Sequence, residues 1–132
     1  MASKRVLFVE DMPSLRKVGA LMVRNAGAHV EVAADGAPAV EMVAASLKPG
    51  GRPYNCVLMD MHMPGMNGLQ ALRAIRAAHG ANAPPIVCVT GDVLGVEAGG
   101  RQQTMTDAGA VGSLAKPYSQ EDLKAAVLKY ST

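Results

Sequence analysis

The sequence predicts an α/β domain: a five-stranded parallel sheet covered by helices on both faces. Five short apolar runs recur along the 132 residues, and each is followed by a stretch of helical periodicity. The central runs are almost continuously apolar, as strands buried on both faces must be. Strand and helix alternate five times, a pattern that calls for right-handed crossovers between parallel neighbours. The length suits one domain, residues 1–132, large enough to bury a core without disulfide staples.

The first run is KRVLFV (4–9). Pro13 suits the first turn of the helix behind it, where Leu15, Val18, Met22 and Val23 fall near one face. HVEVAA (29–34) is the second strand, and Asp35 caps a helix carrying Val40, Val43, Ala44 and Leu47. SLKPGGRP (46–53) breaks any helix and reads as a mobile surface loop. YNCVLM (54–59) follows as the third strand. Asn67 with Gln70 forms a capping box, and Leu69, Leu72 and Ile75 make the stripe behind it. PIVCV (85–89) is the fourth strand. In the fourth helix, Gly99 and Gly100 leave only 101–108 convincingly helical. AVGSLA (110–115) is the last strand, and Ser119 with Asp122 opens a helix bearing Leu123, Ala126 and Val127.

Composition excludes several classes of function. Phe8 is the sole phenylalanine and tryptophan is absent, so valine, alanine, leucine and nine methionines must build the core. Formal charge is +2 with Lys and Arg scattered, which argues against a nucleic-acid surface. Cys56 and Cys88 sit inside apolar runs, too far apart for a metal knuckle, and read as buried thiols of a reducing compartment. No run approaches the ~18 apolar residues of a membrane span, and MASKR has no signal-peptide character. A cytoplasmic location without membrane insertion is the expectation.

In a parallel sheet all strand C-termini lie along one edge, where ligands of open α/β folds bind. Glu10 and Asp11 follow the first strand, Asp60 the third, Thr90 ends the fourth and Lys116 follows the fifth. Singly, each is ordinary: carboxylates after strands cap helices, and a lysine before proline is often turn surface. Together on alternate strand ends they describe a site. Clustered carboxylates repel and raise one another's pKa, a difficulty that a hard divalent cation such as magnesium removes. Lys116 adds a positive charge and Thr90 a hydroxyl, which suits phosphoryl oxygens, with one carboxylate free to attack phosphorus. A nucleotide-binding turn is excluded by EDMPS after the first strand, which contains no glycine.

At this point LMDMHMPGMNG around Asp60, the acidic pair after VLFV, Thr90 after IVCV and Lys116–Pro117 resemble the receiver domain of two-component response regulators, over nearly the whole chain. PPIVCVTGDVL somewhat resembles receivers of hybrid histidine kinases. The resemblance implies a flavodoxin-like (βα)5 sandwich with strand order 2-1-3-4-5. It implies a phosphoryl group passing from a phosphohistidine, on a histidine kinase or histidine phosphotransfer protein, to Asp60. Asp11, Asp60 and the carbonyl of His62 would hold magnesium, with Glu10 reaching it through water. Thr90 and Lys116 would bond the phosphoryl group, and the Lys116–Pro117 peptide would be cis. Such a domain catalyses its own phosphorylation and dephosphorylation rather than acting as a conventional enzyme. It would work as a monomer on a downstream protein target.

The sequence departs from that pattern in three places. Ser113 stands where the family carries an aromatic ring three residues before the lysine, the interval from Thr90 to Lys116 is longer than usual, and Gly91 replaces the usual alanine. The alternative reading is therefore a receiver-fold interaction module with little or no phosphorylation-dependent switching. His62 and Asp92 lie where the family tunes acyl-phosphate hydrolysis. Met12, Pro13 and Leu15, with the lip around His62 and Met63, form a candidate donor-docking patch, although Leu15 reads equally well as core.

Overall fold

The computed structural model describes residues 4–61, 66–91 and 105–132. Five parallel strands, β1 (Arg5–Val9), β2 (His29–Ala33), β3 (Cys56–Asp60), β4 (Ile86–Thr90) and β5 (Gly112–Ala115), form one sheet in the order β2-β1-β3-β4-β5. This is the flavodoxin-like order expected. Successive side chains of a strand face opposite ways, so the central strands feed two cores. Leu7, Val57, Met59 and Ile86 meet Val43 of α2 (Gly36–Ser46) and Leu72 and Ile75 of α3 (Gly68–His79). Val6, Phe8, Leu58 and Val87 meet Val23 of α1 (Pro13–Asn25) and Leu123 and Val127 of the C-terminal helix (Gln120–Tyr130). Full burial of each such side chain is worth about 2 kcal/mol relative to exposure.

The helix ends form where the sequence signals them. Asn67 Oδ1 accepts from the Gln70 amide while Gln70 Oε1 accepts from the Asn67 amide, both at 2.9 Å. Ser119 and Asp122 make the same reciprocal pair at the start of the C-terminal helix. Asp35 caps α2 by accepting from Gly36 N at 2.5 Å. Residues 48–53 are an exposed loop, two residues shorter than expected, because α2 runs on to a buried Ser46 and is capped by Leu47.

The first helix presents a different face from the one its spacing suggests. Its buried residues are Gly19, Ala20 and Val23, whereas Leu15 and Val18 are exposed. The reason is Phe8. A Cβ built on Gly19 would lie 2.2 Å from the Phe8 ring, so the helix can approach the strand only through a residue without a side chain. Large apolar residues at helical spacing are thereby displaced to the outside.

Cys56 and Cys88 are free and buried, in cores on opposite faces of the sheet. Burial pushes both thiols up to about 12, leaving them unreactive. At the strand-start edge, Asn55 ties three segments together. Its Oδ1 accepts from Arg5 N at 2.7 Å, its Nδ2 donates to Thr132 O at 2.8 Å, and its own carbonyl accepts from Thr132 N at 3.0 Å. No helix among the described residues is long and apolar enough to cross a membrane.

Candidate functional site

The opposite edge of the sheet gathers the charged residues. Asp60 is the last residue of β3 and pairs with Val89, while Thr90 is the last of β4 and pairs with Ala115. Lys116, one residue past β5, donates its amide to Thr90 O at 2.8 Å, so the two are adjacent. Glu10 continues β1, its amide bonded to Ala33 O at 3.0 Å, and Asp11 follows it. Carboxylate oxygens of Glu10, Asp11 and Asp60 all lie within 4.8 Å of one another. Glu10 is 2% exposed and Asp60 3%.

Two nearly buried carboxylates side by side need a cation, and Lys116 is that cation among the described residues. Its Nζ lies 3.0 Å from Glu10 Oε1 and 3.3 Å from Asp60 Oδ2. One cation does not neutralise three carboxylates. Burial, followed by the hydrogen bond to Asp60, pushes Glu10 up to about 7 against the opposing pull of Lys116. For Lys116, burial opposes the charged form, yet the Glu10 hydrogen bond and the charge of Asp60 raise its pKa overall. Glu10 Oε2 is buried with no hydrogen-bond partner among the described residues. An oxygen-only cluster with surplus negative charge and an unsatisfied buried oxygen fits a hard divalent cation.

Thr90 is half-buried at the same edge, and the Lys116–Pro117 peptide is cis. His62, Asp92 and most of the expected fourth helix lie outside the described residues; within that helix, 105–107 is helical. Beside the carboxylates runs a groove of about 480 Å³ between Leu15, Val18 and Met22 of α1 and Lys116, Pro117 and Tyr118. A larger groove, about 620 Å³, lies along β2 and holds none of these carboxylates. Chemistry, not size, locates the site.

Two neighbours of the cluster escaped the sequence. Arg16 Nη1 donates to the carbonyls of Glu10, at 3.1 Å, and Asp11, at 3.2 Å. Gly68, the first residue of α3, backs onto the strand end: a Cβ there would lie 2.2 Å from Asp60 O. A glycine inside a capping box, where helix propensity opposes it, was a readable signal for Gly68. Arg16 left none.

Comparison with known proteins agrees with this arrangement. The family model described as the response regulator receiver domain matches residues 6–128. The signal transduction histidine-protein kinase BarA of Escherichia coli K12 is 31% identical over 126 residues, which are 95% of this chain and 12% of BarA. The DNA-binding response regulator MtrA of Mycolicibacterium smegmatis is 33% identical over 130 residues, covering 94% of this chain and 49% of MtrA. The chain thus spans half or less of these relatives. Among solved structures, the Vibrio cholerae chemotaxis protein CheY4 superposes with a TM-score of 0.81 at 29% identity, covering 98% of this chain and 99% of that one. The receiver domain of the Pseudomonas aeruginosa sensor histidine kinase PA1611, solved with magnesium coordinated in its active-site cleft, gives 0.79 at 30% identity, with 98% of each chain covered. A sheet of order 2-1-3-4-5, an acidic cluster at its C-terminal edge and a match over residues 6–128 lead to one conclusion: this chain belongs to the response regulator receiver domain family.

Proposed function

We propose that this domain, a single receiver spanning residues 1–132, takes a phosphoryl group from a phosphohistidine onto Asp60 in a magnesium-dependent reaction. The observation that carries the reading is Lys116 bridging Glu10 and Asp60 within a cluster of three carboxylates. In the transfer, an oxygen of Asp60 forms the new bond to phosphorus while the donor's N–P bond breaks, its electron pair remaining on the imidazole nitrogen. Asp60 ends a buried strand, so its backbone is held rigidly and its carboxylate needs little reorganisation to meet the donor. Lys116 exchanges its carboxylate contacts for a phosphoryl oxygen, and the Thr90 hydroxyl donates to another. Asp11 and Asp60 would hold magnesium directly, with the carbonyl of His62, and Glu10 through water. When bound, the ion neutralises the charge that develops on the phosphoryl oxygens.

The donor is a histidine kinase or a histidine phosphotransfer protein. The exposure of Met12 and Leu15 beside the carboxylates favours the docking reading of that patch over a core role for Leu15. Transmission to a downstream protein proceeds without a ring at position 113, through the segment that follows β4, residues 91–105, of which 92–104 lie outside the described residues. The test uses acetyl phosphate as donor. With magnesium, intact mass gains one phosphoryl group, peptide mapping assigns it to residue 60, and chelation prevents it. A phosphoryl group mapped to another residue, or none under any condition, overturns the reading.

A further inference from the structure

Along an extended strand, successive side chains point to opposite faces and successive carbonyls to opposite sides. Glu10 and Asp11 are successive, yet both carboxylates join one cluster with Asp60. The chain must therefore leave the extended path between them. The Glu10 amide still bonds to Ala33 O at 3.0 Å, so the departure begins after that amide. What gathers the two carbonyls is a single atom. Arg16 Nη1 lies 3.1 Å from Glu10 O and 3.2 Å from Asp11 O, and its two hydrogens diverge enough to serve both. Arg16 is itself fixed by α1, its amide donating to Met12 O at 2.8 Å.

We propose that Arg16 is a positioning residue for the acidic pair: by holding both carbonyls it fixes the turn that sends Glu10 and Asp11 to the same side. It touches neither the reacting oxygens nor the phosphoryl group, and acts only through the placement of the carboxylates. Its consequence for metal binding rests on the reading above, whereas its control of the turn does not. A planar guanidinium delivers two donors at a fixed angle, which a lysine ammonium reproduces incompletely.

The experiment compares Arg16→Ala and Arg16→Lys with wild type. Magnesium titration should show affinity reduced about tenfold in the alanine variant, the scale on which groups orienting metal ligands act. The lysine variant should recover part of the loss. In metal-free protein, the Glu10 amide should exchange faster in Arg16→Ala, while amides within β3 and α3 keep their protection. A merely structural role would instead lower protection throughout the sheet together with the melting temperature. Unchanged exchange at Glu10, or magnesium affinity equal to wild type, overturns the proposal. If wild type binds no magnesium, the phosphoryl-acceptor reading fails, and the metal-free exchange data alone decide the role of Arg16.

Discussion

Asp60→Asn is expected to abolish phosphoryl acceptance while leaving the metal-free melting temperature unchanged or raised. The amide keeps the shape of the carboxylate, but its oxygen is too weak a nucleophile to attack phosphorus. The stability half follows from charge. Asp60 is 3% exposed, its oxygens lie within 4.8 Å of two other carboxylates, and Lys116 serves both it and Glu10. Neutralising one of three clustered anions relieves repulsion, and Lys116 retains its 3.0 Å contact with Glu10. Intact mass after incubation with acetyl phosphate and magnesium reads the first half, and calorimetry in chelator reads the second. A phosphorylated asparagine variant would move the acceptor elsewhere. A clear fall in melting temperature would mean that the Asp60–Lys116 attraction outweighs the repulsion within the cluster.

Gly68→Ala should destabilise the fold and slow phosphoryl acceptance together. Helix propensity alone predicts the opposite, since alanine is favoured over glycine by up to about 1 kcal/mol. Sterics decide against it. The new Cβ would stand 2.2 Å from Asp60 O and 2.5 Å from Met61 Cε. The methionine can move aside, but the carbonyl belongs to the end of a buried strand and carries Asp60 with it. Overpacking of this kind costs about 1–3 kcal/mol, so the net loss after the propensity gain should be up to about 2 kcal/mol. A fall of up to roughly 8 °C in melting temperature is expected for a domain of this size. A displaced acceptor should also react about ten to a hundred times more slowly at saturating magnesium, since misplacement by about 1 Å carries penalties of that order. A melting temperature above wild type would show that α3 has room to retreat without moving Asp60.

The central strands were legible because the apolar runs VLFV, CVLM and IVCV between turn signals leave little alternative in a doubly covered sheet. The capping boxes at Asn67 and Ser119 were legible because each reciprocal bond is local and needs only the right residues three apart. The buried face of α1 was not. Periodicity counts large apolar residues, whereas close approach to Phe8 demanded the smallest ones, Gly19 and Ala20. At the site, the edge location of Glu10, Asp11, Asp60, Thr90 and Lys116 followed from strand ends alone. That Lys116 bridges Glu10 as well as Asp60 required side-chain distances. Arg16 was invisible because it binds backbone carbonyls, and a carbonyl is offered by every residue type.

The Asn55 clamp has a topological consequence. One side chain bonds both Arg5 N and Thr132 O, so the two ends of the described fold lie side by side, at the edge of the sheet opposite the carboxylates. The described fold is almost a closed ring. Joining its ends with a few flexible residues and cutting instead within the exposed 48–53 loop would give a circular permutant with every strand in its original register. For the same reason the whole fold could be spliced into a host protein's loop, its two connections leaving together and the carboxylate-bearing edge facing away from the host.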